Sequence, residues 1–463
     1  MDDLKRVFGP GENRKVVYSL TLIVMIVLVT VIGGLIMSSI SRGKHRDFFR
    51  WHQAAVRALN GEPLAYMGEG LPPDDERLKF YKLPPAFAVC IAPLGWLDYR
   101  TFVAVWYLSA VGAAAVSVLL VVKMVHGRWL PGDPRQFLLP LVGALGFIVD
   151  DLRSGNNNTH LLAMLTLAVY LAHRNWSSVG GLAAGLAISW KIFPAAALPA
   201  LLLMRRWKLV GWSIVGVAIW MLVLPGAVRG YGRHWNETVA WYRRIVNPYV
   251  TGNQVRQWRD QGMSKKNQSL YSLAHRLCRP VDARSGLSEG FPDRAFFVNL
   301  MDLPRKTVDV IFAALVALGA AGIAAVGLRR RPPPGGLAAA TDLAIACLFT
   351  VLASPIAWTY FYAFALPALV VGAHLAFDPA GPSGLRRLCA AAWFVSIPLI
   401  LGGLVTYARA VGTLTWLGIV WFVVMLAVRS RVDRLRPAIP SLEPSPTAAH
   451  TASSPAVDPT APS

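Results

Sequence analysis

Asp47 lies in Arg46-Asp47-Phe48-Phe49-Arg50-Trp51, a few residues after a long apolar segment. A carboxylate so placed could act as a general base, taking the proton from a hydroxyl as that hydroxyl attacks. The plainer reading is an interfacial ion pair with Arg46 or Arg50. Lys191 interrupts an otherwise apolar stretch from Val179 to Met204, with Pro194 close behind. An ammonium there must snorkel, pair with an acid such as Asp150 or Asp151, or meet an anionic ligand. A lipid phosphate is a natural partner.

Asp150 and Asp151 open Asp-Asp-Leu-Arg-Ser-Gly-Asn-Asn-Asn, which ends at Asn158. Paired carboxylates could hold a divalent cation, because hard cations prefer oxygen ligands. Equally, the segment could be a capped helix junction with Asn158 or Thr159 as the N-cap. The asparagines Asn156 to Asn158 are polar enough to suggest a lined cavity. Further on, Lys265-Lys266-Asn267-Gln268-Ser269-Leu270 is followed by His275-Arg276. Lys266 and Arg276 could bind phosphate, and a solvated amphipathic segment would show the same pattern. Trp358 and Tyr360, in Ser354-Pro355-Ile-Ala-Trp-Thr-Tyr-Phe-Tyr, are either interfacial belt residues or cavity lining.

The elements that must position these groups span a membrane. Of 463 residues, 55% are hydrophobic and 15% charged, against about 25% charged in soluble proteins. The net charge of +21 comes in short clusters between apolar runs, such as Arg205-Arg206-Lys208 and Arg329-Arg330-Arg331. That distribution fits loops held on the cytoplasmic face and speaks against nucleic acid as a partner. Cys90, Cys278, Cys347 and Cys389 match no metal spacing.

Val16–Ile40 is long enough to cross, and Lys5, Arg6, Arg14 and Lys15 before it put the N-terminus in the cytoplasm. It is expected to be a retained helix rather than a cleaved leader. Leu83–Leu97 is short and contains Pro84, Pro85 and Pro93, which predicts an embedded segment that does not cross. Further apolar runs follow at Thr101–Val122, Gln136–Val149, Asn158–Ala172, Ser177–Trp190, Ile192–Met204 and Leu209–Val228. After a long polar loop, Arg229–Lys306, come Val310–Leu328, Leu343 to Ser354, Ile356–Ala373, Leu388–Ala408 and Ala410–Val428. Gln136–Val149, Ser177–Trp190 and Ile192–Met204 are short enough to be half-helices meeting at mid-membrane. The expected architecture is an all-α polytopic membrane protein with about twelve transmembrane helices. Residues 1–436 form the membrane domain, loops 41–100 and 229–306 lie outside, and the Pro/Ser/Thr/Ala-rich 437–463 forms a disordered cytoplasmic tail.

Together these pieces resemble glycosyltransferase family 87, membrane enzymes of the GT-C class. The resemblance runs from Asp47 to about Leu366. It rests on Asp47-Phe48, Tyr81-Lys-Leu-Pro84-Pro85-Ala-Phe87, the Gly155–Asn158 turn, Gly185 through Lys191 and Pro194, Asn267-Gln268-Ser269-Leu270, and Ser354-Pro355. It implies a GT-C fold whose first outer loop supplies the catalytic carboxylate, which maps onto Asp47. It also implies inverting transfer of mannose or a related sugar from a polyprenyl-phosphate donor to a lipid-linked or glycan acceptor. Two positions depart from the family pattern: Asn156 stands where Gln is usual, and Tyr360 and Phe361 stand near a usual His.

The mechanism this suggests has Asp47 as base and Lys191, Lys266 and Arg276 around the donor phosphate. Asp150, Asp151, Asn156, Asn158, Asn267, Gln268, Trp358 and Tyr360 line the cavity. No cofactor is required, although a divalent cation at Asp150 and Asp151 is conceivable. The chain would sit in the cell membrane with both termini cytoplasmic. The alternative is a transporter or flippase of lipid-linked sugars, since broken helices and midplane polar groups occur there too.

Overall fold

The computed structural model describes residues 12–43, 46–64, 81–247, 262–284, 295–328 and 335–432. The tail 437–463, the Arg329–Arg331 cluster, and Lys5 and Arg6 lie outside the described residues. All regular structure among the described residues is helical. Helix α1 (Glu12–Ser41) leads into the amphipathic α2 (Arg46–Leu59). Next come α3 (Pro85–Ile91), which continues as a 3-10 turn to Trp96, α4 (Tyr99–His126) and α5 (Arg135–Ser154). Then follow α6 (Asn158–His173), α7 (Ser177–Trp190) and α8 (Ala197–Leu203). Helix α9 (Trp207–Ala218) runs through a π-helical turn into α10 (Leu224–Arg229), followed by α11 (Tyr231–Trp241). The second half comprises α12 (Leu270–Cys278), α13 (Arg305–Gly327) and α14 (Gly336–Ala353). It closes with α15 (Leu366–Phe377), α16 (Ser383–Gly402), α17 (Thr406–Ala410) and α18 (Thr413–Arg429).

Among the described residues, seven helices are long and apolar enough to cross a membrane: Arg14–Ser41, Tyr99–His126, Trp207–Arg229, Arg305–Gly327, Gly336–Ala353, Thr359–Phe377 and Ser383–Gly402. Their outward faces are apolar. On α1, Leu22, Val24 and Leu35 are each 62% exposed, a surface stable against hydrocarbon and not against water. The protein is a polytopic membrane protein. Helices α7, α8 and α18 are apolar but shorter, so length alone does not carry the count to twelve. Leu83–Leu97 folds as the short α3 and its 3-10 extension, too short to cross. Gln136–Val149 is longer than its apolar run predicted. The helix takes in Asp150 to Ser154 as a polar last turn.

Buried polar contacts gather at the two ends of the bundle. At one end, Arg14 donates to Gly132 O, and the His126 and His374 rings meet at 4.7 Å. There too, the Asp342 carboxylate lies between Arg206 and Arg429, at 2.6 and 2.7 Å. The Asp47 end holds α2, α3, the α5–α6 turn, Lys191 and α12.

Helix α7, which ends at Lys191, is pressed between α6 and α9 by glycines at a four-residue interval. A Cβ on Gly181 would overlap Trp212, and one on Gly185 would lie 2.5 Å from the Gly216 carbonyl carbon. Gly185→Ala should therefore cost about 1–3 kcal/mol through overpacking, seen as a lower thermal midpoint in detergent. Gly211→Ala, whose Cβ would meet nothing within 4 Å, should not.

Candidate functional site

The α5–α6 turn is the centre of the site. Helix α5 ends at Gly155 (φ 70°), a left-handed position suited to glycine. A Cβ on Gly155 would also lie 2.6 Å from the ring of Phe48 on α2. Trp51, one turn further along α2, donates its indole N–H to Gly155 O at 2.7 Å. Phe48 is buried, so α2 is fixed against the turn by its apolar side, and Asp47 is delivered beside the asparagines.

A chain of hydrogen bonds then joins the carboxylate to the ammonium. Asn156 Nδ2 donates to Asp47 Oδ2 at 3.1 Å. Asn156 Oδ1 accepts from Lys191 Nζ at 3.2 Å, from the Asn157 amide at 2.9 Å and from Asn158 Nδ2 at 3.2 Å. Three donors on one oxygen fix which way the Asn156 amide points. Lys191 Nζ also donates to Asn158 Oδ1 at 3.1 Å and lies 4.5 Å from the centre of the Phe361 ring. Its backbone is extended (φ −158°, ψ 126°), which ends α7 and turns the side chain into the cluster. The ion pair expected for Asp47 exists as well, to Arg50 at 2.6 Å. The Asp47 side chain remains 20% exposed, open enough for a hydroxyl to approach.

Asp151 is fully buried, and its oxygens cap α6. They accept from the Asn158 side chain at 2.8 Å and from the Thr159 amide at 2.9 Å. The helix-junction reading of this segment therefore holds in a changed form. The N-cap is Asn157, and the capping oxygens come from Asp151 on the preceding helix. Asp151 is committed to the helix end, Asp150 and Asp151 are successive residues whose side chains diverge on a helix, and no group of three potential ligands exists among the described residues. Tyr360 lies within electrostatic range of Asp47, Asp150 and Asp151 and stacks on Phe361 at 5.3 Å.

Other expected site residues have different work. Asn267 and Gln268 are fully buried. Asn267 donates to Pro355 O at 3.1 Å and accepts from the Ala357 amide at 2.9 Å, while the Gln268 amide donates to Ala357 O at 2.7 Å. The Tyr362 hydroxyl donates to Gln268 O at 2.7 Å. This clasp holds the segment that carries Trp358, Tyr360 and Phe361 against the site. Arg276 is also fully buried. Its guanidinium serves Ala410 O, Ser264 O and Asn267 O at 2.8–2.9 Å and Ser272 Oγ at 2.6 Å. It braces the clasp, and its Nη2 has no hydrogen-bond partner among the described residues. Lys266 is exposed, with no hydrogen bond or ion pair to the Asp47–Lys191 cluster. Both were expected at the donor phosphate from charge alone.

A further cation does sit at the site. Lys82 is within electrostatic range of Asp47 and Arg50. Burial and the neighbouring Arg50 push its ammonium down to about 7, against the pull of Asp47. Its backbone is held by Trp241, which donates to Lys82 O at 3.0 Å. The Tyr81 hydroxyl fixes the following turn by donating to Pro84 O and accepting from the Ala88 amide. The sequence offered one hint, a lysine set between Tyr81 and Leu83 just before two prolines.

A model of glycosyltransferase family 87 matches residues 81–355, more than half of the chain. The chain belongs to glycosyltransferase family 87. The matched span takes in Lys82, the asparagine turn, Lys191, the clasp and Ser354-Pro355, while Asp47 precedes it. No curated protein and no solved structure matches the chain. Family 87 membership makes the protein a glycosyltransferase, and the transporter reading gives way to it.

Proposed function

We propose that the protein has the GT-C architecture and transfers a sugar, mannose or a related one, from a polyprenyl-phosphate donor to a hydroxyl of a lipid-linked or glycan acceptor. The observation that carries this reading is the chain Asp47–Asn156–Lys191, which sets a carboxylate and an ammonium a single amide apart. Transfer by direct displacement needs both. Asp47 accepts the proton of the acceptor hydroxyl as its oxygen forms the bond to the anomeric carbon. The bond from that carbon to the phosphate oxygen breaks on the opposite face. Lys191, supported by Lys82, neutralises the phosphate that leaves, where poor solvation strengthens the attraction. The proton stays on Asp47 until it passes to water, and no metal is required for these steps. Asn156 holds the two charged groups in register.

Orientation follows from charge. Arg14, Lys123, Arg128, Arg174, Arg205 and Arg206 lie at helix ends or in short loops away from Asp47. By the positive-inside preference that end is cytoplasmic, and Asp47 and Lys191 work on the extracytoplasmic side of the cell membrane.

The test is transfer by the purified protein in proteoliposomes supplied with a panel of polyprenyl-phosphate sugars and, separately, nucleotide sugars. Turnover with a lipid-phosphate donor alone is expected; turnover with nucleotide sugars alone would refute this reading.

Lys82 gives the reaction a pH dependence. A phosphodiester has no proton to lose near neutrality, so the cation alone titrates. Donor affinity should be highest below about pH 7 and fall as pH rises through it. Lys82→Met should remove the loss of donor affinity that sets in near pH 7. The sign for stability is opposite. Between about 7 and the ordinary 10.5 the unfolded chain binds more protons at this group, so its contribution to stability rises with pH there.

A further inference from the structure

On the Asp47 end, three segments remote in sequence are tied together through their backbones. The Lys265 amide donates to Ala283 O at 2.7 Å. The side-chain amide of Gln268 donates to Lys265 O at 2.6 Å and to Arg409 O at 2.7 Å. These bonds bring Lys265, Arg284 and Arg409 side by side. Arg284 is exposed, and Lys265 and Arg409 are partly buried.

Gathering like charges costs free energy unless something offsets it. Burial lowers the pKa of Lys265, and Arg284, Arg409 and Lys266 lower it further; Asp282 opposes them. Asp282 Oδ1 accepts from the backbone amides of Arg284 at 3.0 Å and Phe296 at 2.8 Å. Arg409 Nε is buried with no hydrogen-bond partner among the described residues, an arrangement an anion would complete. Another guanidinium nitrogen of Arg409 donates to Thr359 Oγ1. Thr359 opens the 3-10 turn that carries Tyr360 and Phe361, and the Phe361 ring meets Lys191 Nζ. The cations thus stand at the rim of the Lys191 site. Exposed apolar side chains lie close by in the chain: Leu404, five residues before Arg409, is 80% exposed, and Tyr407, which packs on Phe296 at 5.0 Å, is 57% exposed.

We propose that Lys265, Arg284 and Arg409 form a second anion-binding site that takes a phosphate ester carried by a lipid. The guanidiniums and ammonium supply the charge, and the nearby apolar side chains fit acyl or prenyl chains better than a free phosphate. Only the choice between a donor and an acceptor lipid as its source rests on the glycosyltransfer reading.

The test uses the full chain in nanodiscs of neutral phosphatidylcholine. These are titrated with polyprenyl monophosphate and, separately, with phosphatidylinositol, and bound lipid is counted by native mass spectrometry. Arg409→Gln should weaken binding of at least one lipid about tenfold. Lys265→Gln/Arg284→Gln, which leaves the Thr359 contact intact, should do the same. Loss confined to polyprenyl monophosphate assigns the site to the donor, and loss confined to phosphatidylinositol assigns it to an anionic acceptor lipid. Unchanged affinity for both lipids in both variants overturns the proposal. Binding needs no turnover, so failure of sugar transfer would leave this result standing, and failure here would leave the Asp47–Lys191 reaction untouched.

Discussion

Asp47→Asn should yield a folded protein whose kcat for sugar transfer is about 10²–10⁴-fold lower, the range for loss of a general base. The substitution keeps the shape of the side chain and removes its capacity to take a proton. Its cost to stability is small, because the ion pair it breaks is 20% exposed on the Asp47 side and 37% on the Arg50 side. Such pairs contribute about 1 kcal/mol or less. Initial rates in proteoliposomes and a thermal unfolding curve separate the two effects. A near wild-type rate would remove Asp47 from the chemistry, and an unfolded variant would show that the carboxylate supports the α2–turn junction instead.

Lys191→Met should lower kcat/KM for the donor about 10²–10³-fold, as for other lost electrostatic contacts to a transition state, with the acceptor KM little changed. Met follows the path of the lysine stem and can still pack against Phe361. Asn156 Oδ1 keeps the Asn157 amide and Asn158 Nδ2 as donors, whereas Asn158 Oδ1 loses its only donor among the described residues. That loss costs about 1–3 kcal/mol. Relief from holding a poorly solvated ammonium works the other way, so the thermal midpoint should move little. A drop in acceptor affinity with donor kinetics intact would place the cation at the wrong substrate.

Hydropathy made the long spans legible because lipid imposes one demand along the whole helix. Val16–Ile40 and Val310–Leu328 needed only the counting of apolar residues. The last turn of α5 was not legible that way. Asp150 to Ser154 are polar, and they stay helical because Gly155 closes the helix and Asp151 caps the next one. Asp47 and Lys191 stood out since an ionised group beside or within an apolar run is costly and demands a reason. Asn267, Gln268 and Arg276 also stood out as polar, but their purpose did not. They bond to backbone of residues 355–357 and Ala410, and pairing across such separations leaves no periodicity in the chain. Lys82 was hidden for the opposite reason: it sits in a segment that is already polar, and only the fold buries it beside Arg50.

The stereochemistry of the product tests the central claim most directly. Asp47 is hydrogen-bonded to the Asn156–Lys191 cluster, and the proposed reaction uses it as a base and not as a nucleophile. Single displacement then inverts the anomeric centre. With a β-linked polyprenyl-phosphate sugar in proteoliposomes, the anomeric coupling constant of the product, read by NMR, should report an α-linkage, and Asp47→Asn should form almost none. A β-linked product, or an α-linked product formed at the wild-type rate by Asp47→Asn, would contradict the account.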